Sequence, residues 1–293
     1  MKTLKTLTIA YTPDSDDAFY YDALETGLIP LPGFRPHFFT ENMSCLNQKA
    51  LQGVYDVTAI SSVIYPQISR EYAILNVGTS VGRGYGPVLV SREFSKMENL
   101  NGKRVGVPGI PTTGWFLLKC FCPDALMIEM QFDEIADAIN AGNLDAGVMI
   151  HEELLYYPQL GLKCVADLGA EWCQRHDLPL PVGLNVIRRS LGTASMERIC
   201  SGIRQSLEFS LAHSSEALSR VRRMGRGEAG QCTEKFVSMF ANSDSVRMPA
   251  DVREALNVLL CQVVDLGMSS EMPQLTIIEG MIPERIHAHK QVG

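Results

Sequence analysis

Residues able to do chemistry gather at a few points of the chain. The first is His151-Glu152, inside the stretch 143–157 (NLDAGVMIHEELLYY). Residues 146–150 are apolar, the pattern of a short buried strand, and an ionisable pair follows at once. In open α/β sheets, ligands sit in the crevice beyond the carboxyl ends of strands. A histidine at that place titrates near neutral pH and suits general-base work. A core histidine bonded to a backbone carbonyl is the alternative, and the residues alone leave both readings standing. Glu152 reads as a solvated carboxylate at a helix start, or as a group that orients the imidazole.

Two further loops end strands or open helices. Ala59-Ile60-Ser61 closes an apolar strand, and Pro111-Thr112-Thr113-Gly114 opens a helix. The hydroxyls of Thr112 and Thr113, with the free N–H groups of a helix start, suit an anionic oxygen. Plain helix capping is the alternative there. Asp14, Asp16 and Asp17 resemble a metal or phospho-acceptor run, but no lysine or hydroxyl pattern follows, so they read as a capped turn. The glycines at 82, 84 and 86 lack the strand-before, helix-after context of a dinucleotide loop. His287 and His289 read as part of a loose tail. There is no zinc spacing, P-loop or nucleophile elbow. An enzyme built this way works by base catalysis and positioning, without a cofactor.

These residues need elements to hold them. Residues 7–11 alternate as a strand, 12–17 turn, and 18–26 form a helix that Asp16 or Asp17 can cap, ended by Gly27. A helix over 43–52 leads through Gly53 to a strand over 55–60. The plan then repeats: a strand over 104–107, a turn, and a helix over 114–121. A second helix follows over 132–141, with Phe132, Ile135, Ala136 and Ile139 on one face. The step Gly53-Val-Tyr-Asp56 matches Gly142-Asn-Leu-Asp145. Two similar α/β lobes imply a cleft between them. The segments 84–92 and 178–189 combine Pro/Gly breaks with apolar runs, as hinge strands would. We assign 1–88 plus 187–293 to lobe one and 89–186 to lobe two. From residue 195 the chain is helical, with stripes at Met196, Ile199, Ile203 and Leu207, then Val252, Leu256, Leu259 and Val263 after Pro249.

Composition sets the outer limits. The 293 residues carry a net charge of −7, with 46% hydrophobic and 20% charged residues. That argues for two globular domains and against nucleic-acid binding, which needs a basic footprint. The four arginines of 219–226 read as a solvated helix end. No apolar run approaches the ~18 residues of a membrane span, and no signal peptide precedes the first aspartates, so a cytoplasmic protein without membrane partners is expected. Eight scattered cysteines read as reduced, mostly buried thiols. The sequence does not fix an oligomeric state.

Nine segments together carry a family resemblance. They are TPDSDDAF (12–19), LNQKAL (46–51), YDVTAISSVIYP (55–66), GRGYGPVLVS (82–91), VPGIPTTGWFLL (107–118), FDEI (132–135), DAGVMIHE (145–152), DLGAEW (167–172) and LPLPVGLNVI (178–187). The chain resembles the menaquinone-biosynthesis proteins of periplasmic-binding-protein-like fold. Within them, its Ile-His-Glu step is similar to the 1,4-dihydroxy-6-naphthoate synthases of the futalosine route. The resemblance implies an α/β, two-lobed (type II) fold with a central cleft and two hinge crossings. It implies a lyase that cleaves cyclic dehypoxanthine futalosine to 1,4-dihydroxy-6-naphthoate, a small-molecule substrate, and no cofactor or metal. The family's proton acceptor falls on His151, and its substrate contacts fall on Ala59, Ile60, Ser61, Thr113 and Gly114, with Thr112 added by the helix-start argument. Gly114 stands where alanine is usual, DLGAEW keeps one tryptophan of a pair, and 240–249 departs from the usual continuation. A non-catalytic binder and a chorismate-dehydrating relative are the alternatives.

Overall fold

Short buried strands alternate with helices along the chain, and the strands sort into two sheets. The computed structural model describes residues 4–223 and 232–281. The first sheet takes β1 (Lys5–Tyr11), β2 (Phe34–Thr40), β3 (Val57–Ser61), β4 (Tyr72–Leu75) and β5 (Ser80–Gly82). The second takes β6 (Val88–Ser91), β7 (Arg104–Val107), β8 (Leu126–Glu129), β9 (Ala146–Met149) and β10 (Lys163–Asp167). The chain then returns to the first sheet as β11 (Leu180–Arg188) and, much later, β12 (Ile277–Ile278). The strand orders are β12-β4-β11-β3-β1-β2, with β5 beside β11, and β10-β6-β9-β7-β8.

The two orders are versions of one plan. In each sheet three parallel strands run side by side, β2-β1-β3 and β8-β7-β9. Each trio is then flanked by an antiparallel strand arriving through the crossover, β11 beside β3 and β6 beside β9. Central strands β3 (VTAIS) and β9 (AGVM) are buried at every residue. Such continuous burial belongs to sheets covered on both faces, and their runs are correspondingly apolar.

The Gly-x-x-Asp step is part of the repeat. Gly53 and Gly142 both adopt left-handed backbone, at φ 65° and 77°, and so end their helices. Three residues on, each aspartate locks onto the neighbouring parallel strand. Asp56 accepts the Thr8 N–H at 2.9 Å, and Asp145 accepts the Arg104 N–H at 2.8 Å. A carboxylate thus takes a backbone donor at the middle of β1 and again at the start of β7.

Helices complete the layers. Ser15–Glu25 packs on Thr193–Ala212, whose stripe at Met196, Ile199, Ile203 and Leu207 is buried. Ala250–Asp265, opened by Pro249, buries Val252, Leu256, Leu259 and Val263 and packs on β11. Two expectations need correcting. The helix expected over 18–26 begins at Ser15 with Asp14 at its N-cap position, so Asp16 and Asp17 lie inside its first turn. Only Cys122 and Cys200 of the eight free thiols are buried, and Cys164 and Cys261 are exposed. In the arginine run, Arg220 pairs with Asp22 and Arg222 with Glu234, while residues 224–226 fall outside the described residues, as do His287, His289 and the tail. No helix among the described residues is long and apolar enough to cross a membrane.

Candidate active site

The loops beyond β1, β3 and β9 converge, with the helix start after β7, on a cleft of about 730 Å³ that opens to solvent. All seven residues singled out in the sequence line it: Ala59, Ile60, Ser61, Thr112, Thr113, Gly114 and His151. Asp14, Asp16 and Asp17 line it as well, and among the described residues no lysine or arginine does.

His151 sits just past β9 with φ at 57°, in the left-handed region that non-glycine residues seldom adopt. Such backbone costs about 1–3 kcal/mol and persists only where neighbours enforce it. Here two neighbours do. Its Nδ1 meets the Asp14 carboxylate from the opposite lobe, and the Phe132 ring stands edge-on to the imidazole at 4.8 Å. Next to it, Glu152 accepts a hydrogen bond from the Ser15 hydroxyl, also across the cleft. Glu152 is only 4% exposed, so it is not the solvated helix-start carboxylate expected, and Asp14, not Glu152, holds the imidazole. Burial pushes the Glu152 carboxyl above its ordinary value, against the pull of the Ser15 bond.

The turn and helix start over 12–17 are the part that sequence reasoning missed. Thr12 lies at its centre. Its N–H donates to Asp17 at 2.9 Å, and its hydroxyl lies 2.9 Å from Asp14 and 2.8 Å from Asp17. One hydroxyl hydrogen serves only one of two carboxylates at a time. Burial raises the Asp17 carboxyl to about 6, although both Thr12 bonds pull it down. Asp16, also raised well above its ordinary value by burial and by Asp17 and Asp14, has a long 3.4 Å contact to the Ser80 hydroxyl. The available signal was positional: three carboxylates follow β1 as His151 follows β9.

The facing loops are more committed than their sequence suggests. Thr112 caps the helix Thr113–Phe121, accepting from Trp115 N–H at 3.3 Å and donating to the Gly109 carbonyl at 3.0 Å. Thr113 donates to the Val182 carbonyl on β11 at 2.7 Å. Both hydroxyl hydrogens are therefore used. With Trp115 N–H taken by Thr112, the N–H groups of Thr113 and Gly114 are the ones at that helix start without a preceding helical carbonyl, as an anionic oxygen would need. Ser61 differs: its hydroxyl accepts from Asn47 at 3.0 Å, which leaves its own hydrogen to give. Asn47 also donates to the Pro111 carbonyl at 2.9 Å and so ties the two loops together. Gly114 meets the lobe-two wall closely, since an added Cβ would lie 3.1 Å from Val148.

A far part of the chain closes the cleft. Phe236 and Phe240, on the helix Thr233–Phe240, join Leu154 and Val182 in an apolar wall. Tyr20 and Tyr85 hold that helix by donating to the Phe240 and Met239 carbonyls at 2.6 and 2.5 Å. The divergent segment 240–249 thus reaches the cleft through Phe240. The tryptophan kept in DLGAEW, Trp172, is fully buried and donates to the Pro179 carbonyl. It packs behind the site.

Comparison with known proteins agrees with this architecture. The chain is 32% identical over 273 residues to the 1,4-dihydroxy-6-naphthoate synthase of Thermus thermophilus, spanning 92% of this chain and 98% of that protein. It is 29% identical to the synthase of the same name from Streptomyces coelicolor, over 90% and 94% of the two chains. The crystal structure of an Archaeoglobus fulgidus protein superposes with a TM-score of 0.84 at 37% identity, over 90% of this chain and 98% of that one. The periplasmic aliphatic sulphonate binding protein of Escherichia coli shares the fold at TM-score 0.67 and 11% identity, covering 99% of this chain and all of the other. A family described as menaquinone biosynthesis matches residues 7–263, and the chain belongs to that family, on a two-lobed, periplasmic-binding-protein-like fold.

Proposed function

We propose that this protein is a carbon–carbon lyase that converts cyclic dehypoxanthine futalosine to 1,4-dihydroxy-6-naphthoate, with His151 as proton acceptor. The observation that carries the reading is the contact between Asp14 and His151 Nδ1 at the tip of the cleft. A carboxylate on Nδ1 keeps the imidazole hydrogen there, so Nε2 is the nitrogen that accepts. The base removes a hydroxyl proton from the sugar-derived ring, and a retro-aldol break releases a three-carbon fragment. A positioned base contributes roughly 10²–10⁴-fold, so orientation by the closed lobes supplies much of the rest.

In this reading the helix start at Thr113-Gly114 holds the substrate's carboxylate through backbone N–H groups. Ser61 donates from the other lobe, and Ala59, Ile60 and Thr112 shape the floor. The steps call for no cofactor, and the acidic chain suits a small-molecule substrate in the cytoplasm better than a nucleic acid or membrane. The test is His151→Asn. Asparagine tolerates left-handed backbone, so the variant should fold and bind ligand by calorimetry while naphthoate release falls roughly 10²–10⁴-fold. Turnover at the wild-type rate removes His151 from the role.

A further inference from the structure

Breaking a carbon–carbon bond of this kind needs a proton given as well as one taken. Three carboxyl groups line the cleft tip, Asp14, Asp16 and Asp17 at the start of the first helix, and a fourth, Glu152, is buried beside them and bonded to Ser15. Among the described residues, His151 is the only basic side chain lining it. Four carboxylates and one imidazole do not all stay ionised in a buried space, because like charges at short range disfavour each other's charged form.

Hydrogen-bond supply decides which carboxyl keeps a proton. Asp14 has the His151 ring and the Thr12 hydroxyl. Asp17 has the Thr12 N–H and shares that hydroxyl. Glu152 has Ser15. Asp16, 5% exposed, has the Asp17 backbone N–H and the distant Ser80 hydroxyl, the weakest set of the four. The nearby Tyr20 hydroxyl gives it nothing, because it donates to the Phe240 carbonyl.

We propose that Asp16 is the carboxylic acid of this cleft and the catalytic partner of His151, donating its proton to the substrate oxygen that receives the electron pair of the cleaved bond. This rests on the lyase reading above. The balance closes as follows. His151 Nε2 takes the hydroxyl proton, and that C–O becomes a carbonyl. The C–C electron pair moves onto the conjugated carbonyl oxygen of the other fragment, which becomes an enol with the Asp16 proton. Asp16 then regains a proton from the His151 imidazolium through water, and no net proton is consumed. Burial and the neighbouring Asp17 and Asp14, which raise the Asp16 carboxyl well above its ordinary value, work in the same direction.

Two measurements test the proposal. Infrared spectra of the ligand-free protein near neutral pH should show a protonated-carboxyl C=O band that Asp16→Asn removes and Asp17→Asn retains. No such band, or a band lost only in Asp17→Asn, overturns the assignment. In turnover, Asp16→Asn copies the neutral acid in shape but has no acidic proton. Its kcat should fall roughly 10²–10⁴-fold with KM little changed, and Asp16→Glu should recover part of the loss. Wild-type kcat in Asp16→Asn sinks the catalytic role. If wild-type protein itself releases no naphthoate, the lyase reading fails instead, and the infrared comparison alone decides where the proton sits.

Discussion

Replacing Asp14 with asparagine separates what the His151 contact does for the reaction from what it does for the fold. Asp14 and His151 are both buried, and one carboxylate oxygen of Asp14 meets both Nδ1 and the Thr12 hydroxyl. Asparagine preserves the shape and still offers an oxygen to the Nδ1 hydrogen, so the tautomer survives. What disappears is the negative charge opposite the imidazolium that forms as the base takes its proton. A hydrogen bond to a charged group is worth about 1.5–3 kcal/mol net. That interaction is gained only as the reaction proceeds, so its loss falls on the barrier and lowers kcat by about 10–150-fold. KM should move little, because ground-state contacts are intact. Stability should move the other way, since one of several crowded buried carboxylates has been neutralised. The assay is naphthoate release under saturating and limiting substrate, beside a urea melt. A kcat within about twofold of wild type, or a parallel loss of kcat and stability, would refute a positioning role for Asp14.

Two further predictions concern stability. Asp17 is raised from an ordinary carboxylate to about 6, so the folded protein holds that proton more tightly than the unfolded chain. Its contribution is therefore full below the ordinary carboxylate range and lost as pH rises through about 6, amounting to at most about 3 kcal/mol. Asp17→Asn should accordingly gain stability relative to wild type between acid and neutral pH in paired urea titrations; a constant difference would contradict the sign. The second prediction compares two glycines. A Cβ at Gly169 would lie 2.2 Å from the Tyr85 carbonyl oxygen and 2.5 Å from the Gly86 nitrogen, both backbone atoms that have nowhere to swing. Gly169→Ala should cost roughly 1–3 kcal/mol and lower Tm by several degrees. At Gly114 the nearest atom is a Val148 methyl at 3.1 Å, so Gly114→Ala should leave Tm within about 2 °C and change KM instead. Equal Tm losses in the two variants would refute the contrast.

The repeat of lobes was legible because it rests on local chemistry. A glycine that ends a helix in left-handed backbone and an aspartate three residues later recur at Gly53 and Gly142, and each carboxylate finds the same kind of backbone donor. His151 was legible because a buried apolar strand that stops on an ionisable residue is a local pattern. Asp14, Asp16 and Asp17 were read as a capped turn because aspartate is a favoured N-cap. The helix begins at Ser15, however, and the Asp14 side chain makes no cap bond. It turns to Thr12 and to His151, 137 residues away, so its role exists only once the lobes meet. Phe236 and Phe240 left no trace for a similar reason. On an amphipathic helix they look like ordinary core, and only tertiary packing points that face at the cleft.

The division of the site between lobes bears on how the reaction would be controlled. Asp14, Ser15 and Asp16 come from the first sheet's side, whereas His151 and Glu152 come from the second. Two of the polar contacts that join the lobes, Asp14 with His151 and Ser15 with Glu152, are therefore made by the groups assigned to proton transfer or by their immediate neighbours. An arrangement in which the lobes stand apart would leave His151 without its carboxylate and in a backbone conformation with less to enforce it. The base is then fully oriented only while the two lobes meet. Under the lyase reading this makes closure part of the chemistry. It also accounts for the residue following His151: Glu152, bonded to Ser15, fastens the same two loops one residue further along and keeps the pair in register.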